Sequence, residues 1–238
     1  MSDSSVSPSM VESGYHPTWL LYFDILGFKN MVASSIGPEP AFHRLLESYR
    51  DTLAELTRLG EKKQGFKIEH QWFSDSFVVW IQESTPSAFT IIHKIAWQFL
   101  WRSLMNEVPM RGAIAYGDFF AEHDGRTFFG PALVEAHGWS EQLDGIGYLI
   151  CPSARVQLES AKYALPSLNY IAKRIPLKIC VADGTVAAYN YWSLRPQLPQ
   201  IRDVLNRLLL HAPLKAKRKY RNTLKLIKNC HKHLEPHP

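Results

Sequence analysis

Cysteine is scarce and forms no pattern: Cys151, Cys180 and Cys230 are widely spaced, with no Cys-x-x-Cys pair among them. That excludes a zinc ribbon and a disulfide framework, and it predicts free thiols in a reducing, cytoplasmic setting. No uninterrupted apolar run approaches the roughly 20 residues that a spanning helix needs, so no stable membrane association is expected. The serine-rich stretch 1–14 carries neither a basic leader nor an apolar signal core and reads as a disordered tail. No internal repeat is visible. What the chain does have is apolar content. Of its 238 residues 46% are hydrophobic and 21% charged, which suits one compact domain with a sizeable core and appendages. A formal charge of +5 favours anionic partners, a class that spans nucleotides, nucleic acid and membrane surfaces.

Against this background one carboxylate stands out. The run Leu20-Leu21-Tyr22-Phe23-Asp24-Ile25-Leu26-Gly27-Phe28 places Asp24 inside an otherwise apolar, strand-like segment. A lone buried carboxylate is driven to its neutral form unless a cation or hydrogen-bond donors meet it. Asp24 therefore faces an aqueous cleft or binds metal, and the alternative is an edge-strand aspartate that caps the next element. Gly27 follows where the strand must turn, and a glycine there lets backbone N–H groups approach a phosphate. A second carboxylate, Asp75, sits at the Ser74-Asp75-Ser76 tip of a hairpin between two apolar runs. Two such aspartates at strand–loop junctions can hold hard cations and leave positions open for phosphate oxygens.

Periodicity orders the rest. An amphipathic helix is expected from Phe42 to Leu59, a second from Pro86 to Leu104, and a long strand with two glycines over 108–120. A helix over 132–143, a strand over 148–151 and a short helix over 153–161 come next, then an edge strand over 177–182 and helices over 200–211 and 214–230. His93 reads as a core or flanking histidine rather than a ligand. This order predicts an α+β, ferredoxin-like fold: an antiparallel sheet with helices packed on one face. The expected domain is 15–182, with a basic helical C-terminal extension over 183–238. The cluster Lys215-Ala216-Lys217-Arg218-Lys219-Tyr220-Arg221 could bind nucleic acid or acidic lipid, but reads better as the solvated face of a helix whose Leu224, Leu226 and Ile227 pack inward.

The residues also carry a resemblance. Phe23-Asp24-Ile25-Leu26-Gly27-Phe28 is similar to the first metal-binding motif of class III nucleotidyl cyclases, and Phe73-Ser74-Asp75-Ser76 resembles their second. The run Met110 to Gly117 looks like that family's glycine-containing strand, and Phe129-Gly130-Pro131-Ala132-Leu133 resembles its strand-to-helix segment. Purine cyclases carry an Asn and an Arg on the next helix, where this chain has Val134 and Gly138; their adenine-reading Lys and Asp fall at Gln71 and Thr127. Retained aspartates with these replacements look most like the bacterial pyrimidine cyclases of anti-phage signalling, the Pycsar type.

That resemblance implies a homodimer that uses Mn²⁺ or Mg²⁺ to cyclise UTP, with CTP second, to its 3′,5′-cyclic monophosphate. Asp24 and Asp75 are the implied catalytic residues and, with the Ile25 carbonyl, the metal ligands. The expected nucleotide-binding set is Tyr22, Phe23, Gly27, Phe28, Gln71 and Arg111, with Lys173, Arg174 and Lys178 as further basic residues for the triphosphate. Tyr22, Trp72 and Phe128 are expected to fill the space a purine would take. The rival readings are an ATP or GTP cyclase, since glutamine can pair with either base class, and a non-catalytic nucleotide- or RNA-binding module.

Overall fold

The computed structural model describes residues 15–29, 43, 46–54, 65–122, 127–165 and 170–232. The expected tail over 1–14 and both ends of the expected helix over 42–59 lie outside the described residues, while 43 and 46–54 are helical as expected. Eight strands form one sheet: β1 (Tyr15–Ile25), β2 (Glu69–Phe73), β3 (Ser76–Ile81), β4 (Met110–Ala121), β5 (Phe128–Phe129), β6 (Gly147–Ile150), β7 (Tyr170–Ile171) and β8 (Ala187–Tyr189). Their order is β2-β3-β1-β4-β6-β8-β7, with β5 beside β4. All neighbours are antiparallel except β4 and β6, which are parallel and are joined by helix α2 (Pro131–Gln142). The α+β class read from the sequence is the one observed.

The helices do not all lie on one face. In a strand successive side chains point to opposite faces. On β1, Trp19, Leu21 and Phe23 share one core cluster with residues of α1 (Pro86–Met105), α3 (Pro152–Ser160) and α4 (Leu198–His211), whereas Leu20 and Tyr22 share another with Ala132 and Ala136 of α2 on the other side. The unbroken apolar run 19–23 is the physical reason, because a central strand that is hydrophobic on both faces must be covered on both. Burial of each such side chain contributes roughly 1.5–3 kcal/mol. Helix α1 starts where Thr85 accepts the Ala88 N–H at 3.3 Å, with Pro86 in its first turn.

The expected edge strand over 177–182 is absent; Leu177 makes only an isolated bridge to Leu143. The sheet edge is built instead by β7 and β8, which are two and three residues long, too short for alternation to show in the sequence. The chain closes with a 3₁₀ segment (Tyr191–Gln197), α4, and α5 (Leu214–Lys232). Among the described residues no helix is long and apolar enough to cross a membrane, and Cys151 and Cys180 are free thiols.

Candidate functional site

Sheet register assembles the site. Gln71, Val78, Tyr22 and Ala113 form one row across β2, β3, β1 and β4, and the neighbouring row carries Ser76, Asp24 and Arg111. Paired residues share a face, so Gln71, Tyr22 and Asp24 lie together on the α2 side of the sheet. Here the chain meets the cost of burying Asp24 with an ion pair: Arg111 Nε donates to Asp24 Oδ2 at 2.9 Å. The same guanidinium reaches the Glu141 carbonyl and its Oε1, each at 3.2 Å. Only 10% of the Arg111 side chain and 15% of the Asp24 side chain remain exposed. Burial raises the Asp24 carboxyl above the ordinary range, Arg111 opposes that shift, and the charge of Asp75 adds to it.

Asp75 is held beside Asp24 by the backbone. The Ile25 N–H donates to the Asp75 carbonyl at 2.9 Å, so the end of β1 is bonded to the hairpin tip, where Ser74 takes the left-handed φ of 55°. Immediately beyond, the Leu26 N–H donates to the Pro109 carbonyl at 2.9 Å, and Gly27 turns the chain at φ +82°. A Cβ at Gly27 would meet nothing within 4 Å, so it is the φ that favours glycine there, and the turn is open to an approaching group. Phe28 is half-buried and packs against the core below.

The donor set fits a hard divalent cation. Two carboxylates on one corner, one of them shifted toward neutrality by burial and to a lesser degree by the other's charge, are relieved by positive charge, and oxygen ligands suit Mg²⁺ or Mn²⁺. Among the described residues no group of three or more His, Cys, Asp or Glu side chains is placed to hold a metal ion. The side-chain ligands would therefore be Asp24 and Asp75, completed by backbone carbonyl, water or phosphate oxygens.

Next to this corner lies a cleft of about 350 Å³, lined by Tyr22, Ser76, Val78, Phe128, Leu133 and His137 among others. Tyr22 is fixed in it: its hydroxyl is 2.8 Å from the Ser76 Oγ, and its ring stands edge-on to His137 at 5.2 Å. Burial raises the Tyr22 phenol. The cleft is apolar, with polar atoms at one end, the usual make-up of a small-molecule site.

Several expected residues are not brought to this cleft. Phe23 is fully buried on the opposite face against Phe99 and Tyr148, so its side chain cannot touch a nucleotide there. Trp72 is on that face as well, stacked on Phe77 at 4.8 Å, because it is one residue out of step with Gln71. Arg111 is present but already engaged by two carboxylates. Lys173 and Arg174 are exposed, and Arg174 lines a different cavity with Cys180. Val134 is 72% exposed at the mouth of the cleft, and Thr127 is also exposed.

Sequence reasoning missed Glu141, His137 and Lys219. The last lies on α5, which packs inward through Leu226 and Ile227 as expected and also through Tyr220 and Thr223. Rather than offering only a solvated basic face, α5 lays Lys219 close enough for the charges of Asp24 and Arg111 to act on it.

No family model matches the chain, and no curated protein matches it in sequence. Solved structures are similar to it at low identity. An adenylate/guanylate cyclase/hydrolase from Silicibacter pomeroyi is 11% identical with a TM-score of 0.49, over 74% of this chain and 96% of that one. The catalytic core of a rhodopsin-guanylyl cyclase with converted specificity is 11% identical with a TM-score of 0.48, over 74% of this chain and 94% of that one. A bacterial light-regulated adenylyl cyclase is 13% identical with a TM-score of 0.47, over 97% of this chain and 61% of that one.

Proposed function

We propose that the chain is a nucleotide cyclase acting on a pyrimidine nucleoside triphosphate, UTP before CTP. The observation that carries this reading is the meeting of Asp24 and Asp75 at one corner, beside the open Gly27 turn and the Tyr22 cleft. Asp24 and Asp75, with the Ile25 carbonyl, would hold Mn²⁺ or Mg²⁺, and the bound metal supplies charge stabilisation on the attacking and departing oxygens. Backbone N–H groups at Gly27 and Phe28 orient the phosphates. The ribose 3′ oxygen bonds to the α-phosphorus, the bond from that phosphorus to the bridging oxygen breaks, pyrophosphate takes the electron pair, and the 3′ proton passes to solvent.

Tyr22, Val78 and Phe128 form the apolar wall for the base, Ser76 and His137 are polar groups that line it, and Gln71, assigned to base reading by the resemblance, shares the Tyr22 row beyond Val78 but is not itself part of the lining. A site without the lysine and aspartate that pair with adenine gives up much of its discrimination for that base. The resemblance supports a homodimer with the site at the subunit interface and a signalling role in anti-phage defence.

The Asp24–Arg111 pair favours a second reading, a nucleotide-binding module without turnover, because it occupies one oxygen of the proposed metal ligand. Incubation of the purified protein with each of the four triphosphates and Mn²⁺, with products resolved by chromatography, separates the readings. Cyclic UMP or cyclic CMP supports the proposal, cyclic AMP or cyclic GMP replaces it with a purine cyclase, and no product leaves the binding module.

A further inference from the structure

Helix α5 packs Tyr220, Leu226 and Ile227 into the core and is pinned by polar contacts beside them. Arg218 Nε lies 2.7 Å from Asp144 Oδ2, Asn222 Nδ2 donates to the same oxygen at 2.8 Å, and the Ile146 N–H donates to the Thr223 hydroxyl at 2.8 Å. These contacts set the rotation of the helix, and Lys219, one residue past Arg218, is turned inward and half-buried. Lys219 lines a cavity of about 440 Å³ whose lining also includes Leu26, Gly27, Pro109, Leu208 and Ala216. Glu107, at the same cavity, is neutralised by Arg207 at 2.9 Å. Among the described residues no carboxylate stands within ion-pair distance of Lys219, since Asp24 is taken by Arg111 and Asp144 by Arg218. Burial, and then the neighbouring Arg111 and Lys178, hold the Lys219 ammonium below the ordinary lysine range, with Asp24 and Asp144 opposing. A desolvated lysine among other cations gains from an anion more than a surface lysine does.

We propose that Lys219 binds the polyphosphate tail of the nucleotide, which lies in the cavity between the Gly27 turn and α5. The assignment rests on the nucleotide reading above. It gives the basic helix a role inside the site, and it supplies a cation that Arg111, already paired twice, does not.

Binding is measured by calorimetry with Mn²⁺ present, using α,β-methylene analogues of all four triphosphates, UMP and inorganic tripolyphosphate, none of which can be cyclised to release pyrophosphate. The proteins are the full chain, Lys219→Ala, Lys219→Arg and Lys225→Ala, the last an exposed lysine on the same helix. The expected result is a weakening of triphosphate-analogue and tripolyphosphate binding by roughly 10- to 100-fold in Lys219→Ala. UMP binding should be little changed, charge-retaining Lys219→Arg should restore most of the affinity, and Lys225→Ala should match the parent. Parent-like binding by a folded Lys219→Ala overturns the assignment while leaving the nucleotide reading intact. Loss in Lys219→Ala of tripolyphosphate affinity alone, with no nucleotide bound by the parent, supports the phosphate site and overturns the nucleotide reading. No binding of any probe to the parent overturns both.

Discussion

The two aspartates differ in what surrounds them, and the difference predicts separable effects. Asp24 is the partner of a buried arginine, so Asp24→Asn leaves Arg111 with only Glu141 and should cost about 3 kcal/mol of stability. Asp75 is held through its carbonyl, which asparagine retains, so Asp75→Asn should change stability by less than about 0.5 kcal/mol. Urea melts of the two variants check this; equal losses would show that Arg111 does not depend on Asp24. The larger loss at Asp24 is not legible in the sequence, because the facing arginine is 87 residues away along the chain. At His93 the structure predicts a pH dependence. Its Nδ1 is hydrogen-bonded by the hydroxyls of Tyr148 and Tyr170, and burial lowers its pKa to about 4. Above pH 6.5 the ring is neutral in both folded and unfolded chains. As pH falls from 6.5 toward 4 only the unfolded chain takes up the proton, so stability should drop by about 3 kcal/mol, a drop that His93→Phe should lack. The same acid sensitivity in His93→Phe would assign the effect elsewhere.

Among the elements, the long helices and the central strands were legible because each carries enough residues for its period to show. The two glycines of β4 divide in the structure. A Cβ on Gly112 would sit 2.4 Å from the Tyr22 carbonyl oxygen and 2.4 Å from Phe23 Cδ1, whereas one on Gly117 would meet Ala132 at an ordinary 3.8 Å. Gly112→Ala should therefore cost about 3 kcal/mol and shift β1 at the site, since backbone cannot yield as a side chain tip can. A melting temperature equal to the parent's would contradict that packing. β7 and β8 escaped notice through their shortness. The apolar side of α5 was legible, since Leu226 and Ile227 are buried as their pattern suggests, whereas the polar anchors Asn222 and Thr223 were not, because their partners Asp144 and Ile146 lie far earlier in the chain. Beside the base cleft, Gln71→Lys should alter nucleotide preference or KM, because Gln71 shares the Tyr22 row across Val78; an unchanged four-nucleotide profile would remove it from the site.

In the molecule as a whole, the proposed function depends on segments distant in sequence converging around Asp24. β1 brings Asp24 and the Gly27 turn, the β2–β3 hairpin brings Asp75 and Gln71, α2 closes the cleft with Leu133 and His137, and α5 returns with Lys219. The motif order around Asp24 and Asp75 could be read from the chain; the pairing of Asp24 with Arg111 and the inward lysine could not, because both depend on tertiary proximity. The proposed function requires that the two aspartates support a metal-dependent cyclisation. Its most direct measurement is pyrophosphate release from UTP with and without Mn²⁺ by the parent and by Asp75→Asn. Release that requires Mn²⁺ and falls at least about 100-fold in a fully folded Asp75→Asn is the predicted result. Release that persists undiminished in Asp75→Asn would contradict it.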